Sequence, residues 1–226
     1  MSSGLVDQNS PIKLSRQERK QRTRQRLIDA VISIVCEEGV EALTTTRLTQ
    51  YAQITQPGFY VHFKNIDHCL SVAAERIHER LIQLQAEARK SAYYKIKGLN
   101  DFDRTEIISL SIAEMITAVL SEPRLLEIFI RYRHDRSPLG EAMRKVTEHL
   151  RLAIAEDALR LAKGSEVPER FYPRFSAAAE VLTSVFIGAL EACVAQRFND
   201  NPLMTDIISR FIKNAMLGEV AFACGA

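Results

Sequence analysis

The sequence predicts an all-α protein of about nine helices, and three observations carry that expectation. Leu, Ile, Ala, Glu and Arg are abundant, while only nine glycines and no tryptophan occur in 226 residues, a balance that favours helices over sheets. Apolar residues recur at helical spacing in one segment after another, with no competing strand alternation. Capping residues and prolines punctuate those segments at their ends.

Taken in order, residues 1–14 are polar and aperiodic, so a disordered arm is expected there. Ser15 with Glu18 three residues on is a capping box that starts a first helix near Arg16. That helix has a basic first half, then Leu27, Ile28, Val31, Ile34 and Val35 on one face, and Gly39 to stop it. Thr44 caps a short second helix carrying Leu48, Tyr51 and Ala52. Thr55 caps a third, with Pro57 tolerated in a first turn that lacks intrahelical acceptors. The aromatic residues Phe59, Tyr60 and Phe63 follow, and Asn65 or Asp67 caps a long fourth helix through Val72, Ile77, Leu81 and Leu84 that fades near Lys97-Gly98. Asp103 with Glu106 starts a fifth helix, reaching about Ser121. Pro123 opens a sixth that ends near His134, and Ser137-Pro138 a seventh that runs to Lys163-Gly164. Beyond Pro168 and Pro173 an apolar eighth helix covers about 174–198. Asn201-Pro202 then breaks the chain, and a ninth helix runs from Leu203 to about Val220. Two domains are expected: a three-helix head over 15–66 and a larger helical domain over 67–226.

Charge is informative because it is localised. Residues 1–70 hold nine basic and seven acidic residues, and the remainder is balanced. Lys13 to Arg26 alone carries seven positive groups against Glu18. Such a cluster suits a polyanion, although a solvated basic helix start reads the same way. The four cysteines (Cys36, Cys69, Cys193, Cys224) have no paired spacing, so buried or free thiols are expected, with neither a disulfide framework nor a metal site. The longest uncharged stretch near the C-terminus, Val181 to Leu190, is too short to cross a bilayer, and a cytoplasmic protein is expected. GxSxG, P-loop, HExxH and GxGxxG motifs are all absent, and the five histidines are scattered, so neither an enzyme nor a cofactor is expected.

Two short helices separated by a tight turn, beside a longer first helix, describe a helix-turn-helix. The segment Arg26-Leu27-Ile28-Asp29-Ala30, with Glu38-Gly39, Thr44, Leu48, Ala52, Ile54 and Phe59-Tyr60-Val61-His62-Phe63, resembles the N-terminal domain of the TetR family of bacterial transcriptional regulators. The resemblance covers about residues 20–75 and implies a ligand-responsive repressor that binds a palindromic DNA operator as a homodimer. The residues expected at the DNA are Arg24, Thr44, Arg47, Thr55, Gln56, Pro57, Gly58, Tyr60, His62 and Lys64. Gln56 can pair bidentately with adenine, Tyr60 and His62 match the family's phosphate-contacting positions, and Phe59 and Phe63 fill the head's core. Three departures from the family pattern stand out: Gln53 where a glycine is usual, Leu48-Thr49 where Ile-Ala is usual, and Ile66 where a lysine is usual.

For the larger domain the resemblance implies an effector site and a dimer surface. Ile116, Leu120, Phe129, Arg131, Arg133 and Met143 are the expected effector residues, although the apolar ones can equally fill the core. A distant likeness to fatty-acid-responsive repressors suggests an acyl chain or acyl thioester as the effector. The last two helices are the dimer candidates, through Val181, Val185, Phe186, Ala189, Ile208, Phe211, Ile212 and Ala215. The competing reading is a helical ligand-binding or scaffold protein that has lost specific DNA binding, motivated by Gln53 and Ile66.

Overall fold

The structure is a computed structural model that describes residues 15–96, 106–161, 169–197 and 201–225. Among these residues there are nine α-helices and no strand: α1 Arg16–Glu37, α2 Thr45–Tyr51, α3 Gln56–Tyr60, α4 Ile66–Ile96, α5 Glu106–Leu120, α6 Pro123–Tyr132, α7 Pro138–Leu161, α8 Tyr172–Val194 and α9 Asn201–Gly225. Short 3₁₀ turns precede α2 and α8. The expected arm over 1–14 lies outside the described residues. The chain divides into two compact units between Ala73 and Ala74, inside α4.

In the first unit, α1 opens with the full capping box. The Ser15 hydroxyl accepts the Glu18 N–H at 3.2 Å, and the Ser15 N–H donates to the Glu18 carboxylate at 2.6 Å. Those donors hold the Glu18 carboxyl below its usual range. The apolar half of α1 buries Leu27, Val31 and Ile34. Gly39, at φ 94°, ends α1 in a conformation that side chains rarely adopt. Phe59 and Phe63 are fully buried beside these residues. Thr49, the polar residue of α2, is buried too, and its hydroxyl donates to the Thr46 carbonyl at 3.0 Å, so its burial leaves no orphaned group.

In the second unit, α7 packs on α8, α5 on α9, and α8 on α9, with α6 against α5, α7 and α8. Its core includes Ile116, Leu126, Ile128, Leu139, Met143 and Ile212. The C-terminal part of α4 is tied in by ion pairs from Arg80 to Glu122 and from Arg89 to Asp157, both 2.8 Å, and from Lys95 to Glu114. Two helix boundaries differ from the sequence expectation for one reason. Pro173 and Pro202 sit in first turns, where no intrahelical acceptor awaits an N–H. Consequently α8 starts at Tyr172 and α9 at Asn201, and α9 continues past Val220. The turn between α6 and α7 is closely packed: a Cβ on Gly140 would lie 2.1 Å from the Asp135 carbonyl oxygen.

The expectation about membrane length also needs correcting, since Glu169–Val194 is long and apolar enough to span a bilayer. Its apolar face is instead buried in the unit's core through Phe175, Leu182, Phe186 and Leu190. Among the described residues Cys36, Cys69 and Cys193 form no disulfide, and burial pushes the Cys69 thiol up to about 12.

Candidate nucleic-acid interface

The head's α2 and α3 are each fixed by a threonine cap. Thr44 accepts the Arg47 N–H at 3.1 Å, and Thr55 accepts the Gly58 N–H at 3.3 Å. Between them Gln53 takes φ 52°, and the Ile54 N–H closes the turn onto the Thr49 carbonyl at 2.9 Å. An L-residue is strained there by about 1 kcal/mol relative to glycine. Gln56 is exposed at the first position of α3, and its Nε2 donates to the Thr46 hydroxyl at 3.0 Å. Thr46 is thus a contributor that sequence reading missed; its signal was a run of three threonines of which only the first was read as a cap.

The end of α3 presents Tyr60, 61% exposed, with its ring edge against the buried Phe59 at 5.3 Å. Pro57 and Lys64 are exposed and Gly58 is half-buried. A Cβ on Gly58 would press on the Thr55 cap at 3.3 Å, so this glycine has a reason internal to the head as well. Asn65 caps α4 by accepting the His68 N–H at 2.8 Å, while His68 Nδ1 accepts the Lys64 N–H at 3.2 Å. Ile66 begins α4 half-buried.

The basic residues fall into two classes. Arg16, Arg19, Lys20 and Arg22 line the exposed first half of α1. Arg24 is engaged inside the head: it donates to the His62 carbonyl at 3.0 Å and stacks on the Phe63 ring at 4.4 Å. Burial, and then the charges of Lys20 and Arg24, hold the His62 imidazole below its ordinary value. Arg47 is paired with Glu38 at the end of α1, which raises its guanidinium above its usual value.

In the second unit the six expected effector residues take different places. Ile116 and Met143 are packed in the core, and Phe129 lines an apolar pocket. Leu120 instead lines a groove between α5 and α9. Arg131 pairs with Glu127 at 2.6 Å, while Arg133 donates to the Ile130 carbonyl at 2.7 Å and pairs with Glu191 at 3.3 Å. Spacing along α5–α7 could not show which apolar side chains border a void.

Of the expected dimer residues, Val181 and Phe211 are exposed, and Val185, Ile208 and Ala215 are half-buried. Phe186, Ala189 and Ile212 are buried within the unit, where α8 and α9 pack on each other. Leu203, Ile207 and Phe222 are exposed at one-turn multiples from Phe211, and together they form an apolar stripe along α9.

No family model matches the sequence. A curated relative, an HTH-type transcriptional regulator from Mycobacterium bovis, is 25% identical over 176 residues, spanning 77% of this chain and 84% of the relative. Among solved structures, a TetR-family transcriptional regulator from Syntrophomonas wolfei superposes with a TM-score of 0.65 at 17% identity, covering 88% of this chain and 97% of that one. The fatty acid degradation regulator FadR from Bacillus halodurans gives a TM-score of 0.61 at 13% identity, covering 87% and 95%. The chain has the fold of the TetR-family transcriptional regulators, with a helix-turn-helix in its N-terminal unit.

Proposed function

We propose that this chain is a transcriptional regulator that binds a palindromic DNA operator as a homodimer in the cytoplasm, represses from it, and responds to a small-molecule effector. One observation carries the reading: Gln56 is held by Thr46 at the exposed start of α3, between two capped helices. One amide hydrogen is engaged, which leaves the second N–H and the carbonyl oxygen as a donor–acceptor pair matched to adenine in the major groove. Tyr60 and Lys64 flank α3 as phosphate contacts, and the exposed basic face of α1 supplies sequence-independent attraction. The dimer surface is the apolar stripe of α9 together with Val181 of α8. Two heads are needed because one short recognition helix reads too few bases for operator specificity.

The test is a titration of the full chain against the intergenic DNA upstream of its own gene, at several salt concentrations. Tight, sequence-preferring and salt-steep binding supports the regulator. The absence of any preference over random DNA overturns it and favours a helical binding protein with the same fold. Tyr60→Phe should weaken all sequences alike, whereas Gln56→Ala should relax the preference; small, equal effects would count against these roles.

A further inference from the structure

The second unit holds two adjoining, partly open pockets, with about 40 Å³ and 30 Å³ of space open to the centre of a water molecule. Helices α4 to α8 wall the first, and Gln85 is the one polar side chain in a lining that includes Leu81, Leu126 and Phe129. The second shares Gln85, Met115 and Leu150 with it and adds Ser111 and the Arg89–Asp157 pair. Gln85 is only 7% exposed, and its amide makes no hydrogen bond to any described residue. An amide set in an otherwise apolar wall, with no protein partner of its own, is placed to meet a polar group in that space.

We infer that these cavities take a small uncharged molecule with an apolar body and one amide, carbonyl or hydroxyl group, which Gln85 reads. The inference deepens the regulator reading by naming the chemical class of the effector. Gln85 offers a donor and an acceptor side by side, which suits a primary amide best: the ligand carbonyl accepts from Nε2, and the ligand N–H donates to Oε1. Charge is excluded by the lining. Arg89, the one cation present, is already met by Asp157 at 2.8 Å and by the Ala153 carbonyl at 3.2 Å. A carboxylate would therefore lose its hydration without gaining a free partner. The pair of cavities has room for roughly five waters, and the flexible thioether of Met115, on the wall between them, can move to join them. A short ligand fits that space, and a long acyl chain with an anionic carrier does not.

Hexanamide and hexanoate are matched probes. Thermal unfolding and ligand-observed NMR of the full chain, without DNA, should show hexanamide binding at least tenfold tighter than hexanoate. Gln85→Leu keeps the volume and removes the amide, so it should fold with an unfolding temperature at or above that of the parent. It should also bind hexanamide at least tenfold more weakly; Gln85→Met serves as a second variant of similar shape. The inference is overturned if hexanoate binds as well as hexanamide, if neither binds at millimolar concentration, or if Gln85→Leu retains full affinity. Failure of both variants to fold would also overturn it, because the amide would then be structural. DNA takes no part in these measurements, so a failed operator titration and a failed ligand test are separable.

Discussion

Replacing Phe211 by glutamate should turn the proposed homodimer into a monomer at working concentrations. Phe211 is 51% exposed in the isolated chain. A phenylalanine presents about 200 Å² in all, so roughly 100 Å² per protomer awaits cover. Two-fold symmetry doubles that to about 200 Å², which at ~25 cal/mol/Å² is worth ~5 kcal/mol. Association entropy and imperfect packing reduce the realised share, and about half of that value, ~2.5 kcal/mol, is a fair expectation. That corresponds to nearly a hundredfold in the dimer Kd, and a buried unpaired carboxylate on each side adds at least tenfold more. Sedimentation equilibrium over a wide concentration range reads the Kd directly. Leu152→Glu is the control, because Leu152 is a comparably exposed apolar residue on α7, away from the stripe. Unchanged association of the Phe211 variant, or equal dissociation of the control, would refute the assignment of this face.

Three further outcomes can be checked. Gln53→Gly should raise the stability of the head by up to about 1 kcal/mol, since relief of the φ 52° strain exceeds the added freedom of the unfolded chain; slower amide exchange in α2 and α3 would show it, and faster exchange would contradict it. Gly140→Ala should lower the urea midpoint by an amount equivalent to ~2 kcal/mol or more, because the new methyl group meets a backbone carbonyl rather than a movable side chain. His62 has a folded pKa below its unfolded one, so its contribution to stability is complete above the unfolded value and declines as pH falls through it. His62→Gln should accordingly flatten the loss of thermal stability between neutral and mildly acidic pH, and an unaltered acid limb would show that other groups cause it.

The parts of the structure legible in the sequence were those settled within a few residues. The Ser15–Glu18 box and the Thr44 and Thr55 caps follow from local donors and acceptors, and each stands where it was expected. Interactions between distant positions were not legible. A basic stretch announces charge, but nothing local says that Arg24 will reach the carbonyl of His62 or that Arg47 will meet Glu38. On α8 and α9 the apolar residues nearly encircle the helix, so periodicity could not separate Phe186 and Ile212, which fill the core, from Val181 and Phe211, which face outward. The cavity beside Phe129 arises where five helices meet, and a void has no residue of its own to leave a pattern. Nothing local to Gln85 marks it as buried.

The Arg47–Glu38 pair has a consequence for how the head would respond to its ionic surroundings. When a free arginine reaches a phosphate, the entropy of the small ions displaced into solution drives much of the association. Arg47 already carries its counterion, and that counterion is part of the chain. A phosphate that recruits Arg47 must displace a carboxylate that cannot diffuse away, so this contact adds little to the ionic-strength dependence. The exposed cations of α1 carry that dependence instead. On the regulator reading, a head built this way would keep part of its grip on DNA constant as ionic strength varies.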